Sequence, residues 1–207
     1  MKILIADDHA IVRKGLKQII ESSIIHSVVE EAESGEEALN KSLNSDYDVI
    51  VLDISMPGRS GLEILNEIKT HKPDSPILIL SIHPENQYAV RVMKAGASGY
   101  ITKDTAPEEL VNAINKVNEG RKYISQSLAE KLIIALRDNN NFPHENLSDR
   151  ELSVMCKLAN GKSITEIANE LNLSIKTVST YKTRLFVKMN FSSIAELTRY
   201  CMDKELL

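Results

Sequence analysis

The sequence predicts two fold classes in one chain: a five-stranded, doubly wound parallel α/β sheet over about residues 1–120, and an all-α domain of four helices over about 145–207. Three observations carry this. Short apolar runs rich in β-branched residues recur about every 20–25 residues through the first part, with helix-period segments between them. Those runs are continuous rather than alternating, so they bury both faces, as parallel strands flanked by helices do. Behind residue 147 no such run returns, and every segment reads with helical spacing.

The first strand is Ile3-Leu4-Ile5-Ala6 and its helix spans Ile11–Ile20. Val28-Val29 then precedes Gly35–Leu43, and Val49-Ile50-Val51-Leu52 precedes Gly61–Ile68. Ile77-Leu78-Ile79-Leu80 precedes Gln87–Ala95, and Tyr100-Ile101 precedes Glu108–Val117. Five such units with right-handed crossovers form an open sheet of the flavodoxin-like kind, which binds ligands beyond the carboxyl ends of its strands. Residues 121–144 are predicted as a linker containing one amphipathic helix, about 127–137, with Ser127 as its N-cap. Asp138-Asn139-Asn140-Asn141-Phe142-Pro143 breaks that helix and reads as flexible. From Ser148 onward, four helical pieces are separated at Gly161, Asn172-Leu173 and Asn190.

Composition excludes several classes. Of 207 residues, 43% are hydrophobic and 26% charged, ordinary values that argue against disorder. No apolar run approaches the roughly 20 residues that span a bilayer. The chain turns acidic at Asp7-Asp8, too early for a signal peptide, so a cytoplasmic location is expected. Cys156 and Cys201 lie far apart, with no C-x-x-C, which removes thiolate zinc sites and disulfide scaffolds. The net charge of −4 conceals an asymmetry: residues 1–120 hold 12 Lys and Arg against 19 Asp and Glu. Residues 174–190 hold Lys176, Lys182, Arg184 and Lys188 with no acid, so the two halves are expected to meet different partners.

Asp7 and Asp8 follow the first strand and Asp53 ends the third, two strands that are neighbours in such a sheet. An Asp after a strand is commonly an N-cap. Three carboxylates on one edge instead repel each other unless a hard cation sits among them, and Mg²⁺ takes oxygen ligands. Ser81 ends the fourth strand and Lys103 follows the fifth, where a hydroxyl and an ammonium can meet phosphoryl oxygens. A flavin site would want a Ser/Thr/Gly-rich phosphate loop where Asp7-Asp8-His9 stands. A haloacid-type phosphatase would want D-x-D-x-T there. Neither enzyme reading fits, and the chain reads as a switch rather than an enzyme.

These residues resemble the receiver domain of two-component response regulators: Asp7-Asp8, Asp53 followed by Met56-Pro57-Gly58 and Gly61, Ser81, Gly96-Ala97, and Tyr100 with Lys103. The resemblance implies that Asp53 accepts a phosphoryl group from a sensor histidine kinase. It implies Mg²⁺ held by Asp8, Asp53 and the backbone carbonyl of Ser55, with Asp7 acting through water. Ser81 and Tyr100 would be the switch pair, beside the phosphoryl-binding Lys103. Many receivers have Pro after that Lys, whereas Asp104 follows here.

In the second half, Ile164, Ile167, Ala168 and Leu171 fall on one helix face, and Ser174 caps a following helix. In that helix Ile175, Val178, Leu185 and Met189 are expected to be buried, with Thr177, Tyr181, Arg184 and Lys188 sharing another face. Two short helices around a tight turn, the second basic and hydroxyl-bearing, form a helix-turn-helix pattern. Leu147-Ser148-x-Arg150-Glu151-Leu152, Ala159-x-Gly161-Lys162-Ser163-Ile164-x-Glu166-Ile167-Ala168 and Leu173-Ser174-x-Lys176-Thr177-Val178-Ser179-Thr180-Tyr181, then Lys188-Met189, resemble the NarL/FixJ (LuxR-type) DNA-binding domain. The resemblance implies that the helix over 174–189 enters the major groove of double-stranded promoter DNA. Lys176, Thr180, Arg184 and Lys188 would touch DNA, Lys182 a phosphate, and Thr177 and Tyr181 either. It further implies a homodimer on activation and contact with RNA polymerase. The competing class is a phosphorylation-controlled module whose helical domain binds protein instead of DNA.

The remaining candidates are bland. Cys156 is expected to be a buried small hydrophobe, and Cys201 somewhat more exposed. The five His show no metal-ligand spacing, although His9 and His83 flank the acidic edge. The Glu-rich stretch 30–37 reads as solvated.

Overall fold

The computed structural model describes residues 1–137, 142–171, 173–204 and 206–207, with the side chains of 86, 87, 127, 131 and 134–137 left aside. It divides into two compact units, Met1–Ile134 and Ala135–Leu207.

In the first unit, five parallel strands stand in the order β2-β1-β3-β4-β5: β1 Lys2–Ala6, β2 Val28–Ala32, β3 Val49–Asp53, β4 Ile77–Ser81 and β5 Gly99–Thr102. Helices α1 Ala10–Ser23, α2 Gly35–Asn44, α3 Gly61–His71, α4 Glu85–Lys94 and α5 Ala106–Asn118 alternate with them. The expected elements all form. β1 pairs with both β2 and β3, Ala6 lying opposite Leu52, so the strand ends that carry the Asp residues are adjacent. Alternation within each strand divides the apolar side chains between two layers. Ile3, Ile5, Val49, Val51, Leu78 and Leu80 cluster with Leu16 and Ile20 of α1 and Leu110 and Ile114 of α5. Leu4, Ile50, Leu52 and Ile79 are equally buried in the other layer, on whose side α2 and α3 pack together. The stretch 30–37 is an ion-paired belt rather than merely solvated: Glu30 meets Lys2 at 3.0 Å, Glu31 meets Lys17 at 3.3 Å and Glu37 meets Lys41 at 2.7 Å.

Helix α6, Gln126–Arg137, begins before Ser127. The Oγ of Ser125 accepts from the Leu128 N–H at 3.0 Å, so the cap sits two residues earlier than the sequence suggests. The Asp138–Asn141 breaker lies outside the described residues.

In the second unit, a 3₁₀ turn at Pro143–Asn146 leads to α7 Asp149–Ala159, α8 Ile164–Glu170, α9 Ile175–Met189 and α10 Ile194–Asp203. Local sequence starts these helices. Ser148 with Glu151 and Ser163 with Glu166 form reciprocal capping boxes, and Ser174 and Ser193 each accept from a backbone N–H three residues on. Asn190 stops α9 in the left-handed conformation, φ 55°. Leu152, Met155, Ile167, Val178, Leu185 and Leu197 make the core. Cys201 is as buried as Cys156, contrary to expectation, and burial pushes their thiols up to about 11 and about 12. No helix among the described residues is long and apolar enough to cross a membrane.

Candidate functional site: an acidic phosphoryl pocket and a basic helix

At the carboxyl edge of the sheet, Asp7, Asp8, His9 and Asp53 each offer a ligand atom, all within 4.8 Å of one another. Asp7 and Asp53 are completely buried, whereas Asp8 keeps some exposure. Backbone geometry fixes the two buried carboxylates: Asp7 Oδ1 accepts from the His9 N–H at 2.8 Å, and Asp53 Oδ1 from the Ser55 N–H at 3.0 Å. Lys103 places Nζ 2.6 Å from Asp7 Oδ2 and 2.8 Å from Asp53 Oδ2. Burial pushes the Asp53 carboxyl above its ordinary range, with Lys103 pulling against it. For the ammonium of Lys103 burial acts downward, but Asp53 and Asp7 more than offset it and the value is raised. All described peptide bonds are trans, the one after Lys103 included.

Three carboxylates facing one lysine leave an excess of negative charge in a buried corner. Their converging oxygens suit a hard divalent cation, so the donor set fits Mg²⁺. His9, which the sequence places at this acidic edge, joins the cluster with Nδ1 2.8 Å from Asp8 Oδ1.

The pocket depends on a close approach. A Cβ on Gly61 would stand 2.1 Å from the Asp53 carbonyl oxygen, so only glycine lets α3 begin there. Behind the pocket, Arg13 of α1 is buried. It donates from Nη1 to the Asp7 carbonyl at 2.7 Å and lies 3.4 Å from Glu31 Oε2. Sequence reasoning missed it, yet its spacing to Leu16 and Ile20 puts it on the inward stripe of α1.

Ser81 and Tyr100 are both buried. Ser81 Oγ accepts from the His83 N–H at 3.0 Å, and the Tyr100 hydroxyl donates to the His83 carbonyl at 2.7 Å. The Tyr100 ring therefore sits inward, and burial raises its phenol pKa. His83 stacks on Tyr88 with centroids 4.5 Å apart and holds Nε2 3.2 Å from Ser55 Oγ.

In the helical unit, the buried side of α9 is Val178, Leu185 and Met189, while Ile175 is 54% exposed and leaves the predicted stripe. At about 100° per residue, Lys176, Thr180, Thr183 and Val187 lie nearly opposite that core, with Arg184 at their edge. All five are exposed. The face expected from the sequence, with Thr177, Tyr181 and Lys188, is centred closer to the core. Thr177 and Tyr181 are half-buried, and Thr177 Oγ1 lies 2.7 Å from the capping Ser174 Oγ. Thr183 and Val187 were not singled out from the sequence; measuring angles from the core stripe rather than from the basic residues finds them.

Charge on α9 is also sorted. Lys188 pairs with buried Glu151 at 2.7 Å, and Lys182 lies over the Phe186 ring at 5.6 Å. Among the described residues, Lys176 and Arg184 have no acidic partner.

Comparison with known proteins agrees with both halves. The family described as "Response regulator receiver domain" matches residues 3–115, and "Bacterial regulatory proteins, luxR family" matches 145–201. Response regulator UvrY of Escherichia coli K12 is 38% identical over 200 residues, which cover 96% of this chain and 92% of that protein. Oxygen regulatory protein NreC of Staphylococcus carnosus is 38% identical over 215 residues, covering 100% and 99%. Among solved structures, RcsB from Salmonella enterica serovar Typhimurium, bound to promoter rprA in the presence of phosphomimetic BeF3−, aligns with TM-score 0.61 at 30% identity, over 97% of this chain and 98% of that one.

Proposed function

The chain belongs to the bacterial response regulators that join a receiver domain to a luxR-family DNA-binding domain, and from that membership we propose how its own residues do the work. It is a DNA-binding transcriptional regulator of a two-component system. The receiver comprises about residues 1–120, the linker 121–144 and the DNA-binding domain 145–207.

Asp53 is the phosphoacceptor. One of its carboxylate oxygens attacks the phosphorus of a kinase phosphohistidine, the P–N bond breaks, and an acyl phosphate forms on Asp53. Asp8, Asp53 and the Ser55 carbonyl would hold Mg²⁺, with Asp7 assisting through water. When bound, that ion neutralises charge on the transferring phosphoryl oxygens. Lys103, already shared between Asp7 and Asp53, turns its ammonium to a phosphoryl oxygen. The Ser81 hydroxyl donates to another, and the conformation with Tyr100 inward beneath it is favoured over the one with the ring outward. The chain turns over no substrate of its own: phosphorylation changes the population of two receiver conformations.

The output is α9 in the major groove. Lys176, Thr180, Thr183 and Arg184 face outward to meet DNA, Lys182 and Tyr181 flank them, and Thr177 holds the cap. Lys188 acts from the side, held by Glu151. A homodimer forms on activation and places two such helices on half-sites about one turn of DNA apart. The protein works in the cytoplasm and touches RNA polymerase there.

The observation that carries this reading is the buried Asp53–Lys103–Asp7 triad at the edge of a parallel sheet, in the same chain as a capped helix with outward Lys176 and Arg184. The test is affinity selection of fragmented genomic DNA by the full chain, with and without Mg²⁺ and a small phosphodonor. A repeated half-site enriched with phosphodonor is the expected result. Equal enrichment in both arms would remove Asp53 as the gate, and no enrichment in either would remove the DNA target.

A further inference from the structure

The start of the linker is built into the receiver. Tyr123 forms a parallel bridge with Gly99: its N–H donates to the Ser98 carbonyl at 2.9 Å, and its carbonyl accepts from the Tyr100 N–H at 3.2 Å. Lys122 Nζ adds a bond to the Ala97 carbonyl at 2.7 Å. A Cβ on Gly99 would come within 2.7 Å of the Tyr123 carbonyl oxygen, so the glycine is what lets this segment lie against β5. Tyr100 is thus held at two points, by its backbone N–H to Tyr123 and by its hydroxyl to the His83 carbonyl.

Two residues beyond each of those partners the chain closes on itself. Ser125 Oγ donates to Glu85 Oε1 at 2.5 Å, and the same oxygen accepts from the Leu128 N–H at 3.0 Å. Glu85 is the first residue of α4, and Leu128 lies in the first turn of α6, with its side chain buried. One hydroxyl therefore uses its proton on α4 and a lone pair on α6.

We propose that Ser125 is a positioning residue that ties the start of α6 to the corner between β4 and α4, so that the state of Ser81 and Tyr100 is felt at α6. This rests on the switch reading above. With Tyr100 inward, its hydroxyl fixes the His83 carbonyl, Glu85 is held two residues on, and the first turn of α6 is locked. With Tyr100 outward the corner loses that anchor, Glu85 shifts away from Ser125, and the first turn of α6 frays. Since α6 runs on to Arg137, its register and order are what the linker hands onward.

Two substitutions separate this tie from ordinary capping. Ser125→Asp keeps an N-cap acceptor but repels Glu85, and Glu85→Ala removes the partner while leaving the cap untouched. Ser125→Thr keeps both functions. Hydrogen exchange of the 126–130 amides is measured in the full chain with and without Mg²⁺ and acetyl phosphate, with Asp53 occupancy read by intact mass. In the parent and in Ser125→Thr, phosphorylation is expected to slow exchange there by about tenfold, a shift of the size expected for locking a frayed first turn. In Ser125→Asp and Glu85→Ala the slowing is lost at equal Asp53 occupancy. Slowing that survives in either of these variants overturns the proposal, as does its absence in a fully phosphorylated parent. DNA affinity measured in the same samples tests the gating reading separately: an affinity indifferent to phosphodonor defeats the gate, while the exchange result still decides the tie.

Discussion

Lys188, in the last turn of α9, holds Nζ 2.7 Å from Oε2 of Glu151, a residue only 3% exposed near the start of α7. The same carboxylate accepts from the Ser148 N–H at 2.8 Å and completes a capping box. One glutamate thus starts α7 and anchors the far end of the helix that meets DNA. Burial works against its charge, but Lys188 and the Ser148 backbone outweigh it, so its carboxyl sits below the ordinary range.

Lys188→Ala leaves that carboxylate short of a partner and is expected to cost about 1–2 kcal/mol of stability, less than a fully buried pair because the lysine is half exposed. Its slope of log affinity against log salt should match the parent, whereas Arg184→Ala should lower the slope by about one charge. A reduced slope for Lys188→Ala would make it a phosphate contact instead.

The sign of the Glu151 shift sets a pH dependence. A carboxyl depressed in the folded state contributes stability above its unfolded value and loses it as pH falls through the folded value. Urea midpoints of the parent should therefore fall from about pH 5 downward more steeply than those of Glu151→Gln, around the ordinary carboxylate pKa of about 4.3. Parallel profiles would remove Glu151 as a source of acid sensitivity.

Asp53→Asn removes one of the crowded buried charges and leaves Lys103 with Asp7. Without divalent ions this variant should melt a few degrees higher, about the shift that 1 kcal/mol gives. Added Mg²⁺ should raise the parent melting temperature and leave the variant nearly unmoved, since a ligand stabilises only the state that binds it. The variant should also show no response to phosphodonor. An equal rise with Mg²⁺ in both proteins would place the metal elsewhere.

Gly61→Ala drives a methyl group against the Asp53 backbone and should destabilise the receiver by about 3 kcal/mol, read from the urea midpoint. Stability unchanged within error would mean that the start of α3 can move away from β3.

Much of this was legible in the sequence because it is local. The continuous runs at Val49–Leu52 and Ile77–Leu80 could only be doubly buried strands, and the strand-end Asp residues needed only the order of strands to meet. Serine caps were equally plain. What escaped depends on three-dimensional partners. Arg13 looks like one more helix-surface cation until Asp7 is seen above it. Ile175 has the spacing of a core residue, but α9 has turned it outward by its first position. Cys201 sits near the chain terminus, yet Leu206 and Cys201 both end up buried. Lys188 reads as an unpaired helix-surface cation until Glu151 is placed beneath it, 37 residues earlier in the chain.

The bridge from Tyr123 to Gly99 has a consequence for how the protein is made. After β2 takes the far side of β1, each later strand adds to the free edge left by the one before: β3 to β1, β4 to β3, β5 to β4. A nascent chain stopped at residue 118 would hold every strand of the sheet yet present the outer edge of β5, a row of unpaired donors and acceptors inviting another chain. Only when Tyr123 is available is that edge partly capped, and Tyr123 precedes all of α7–α10 in the chain. The segment that leads out of the receiver thus also covers part of a sheet edge that would otherwise invite another chain.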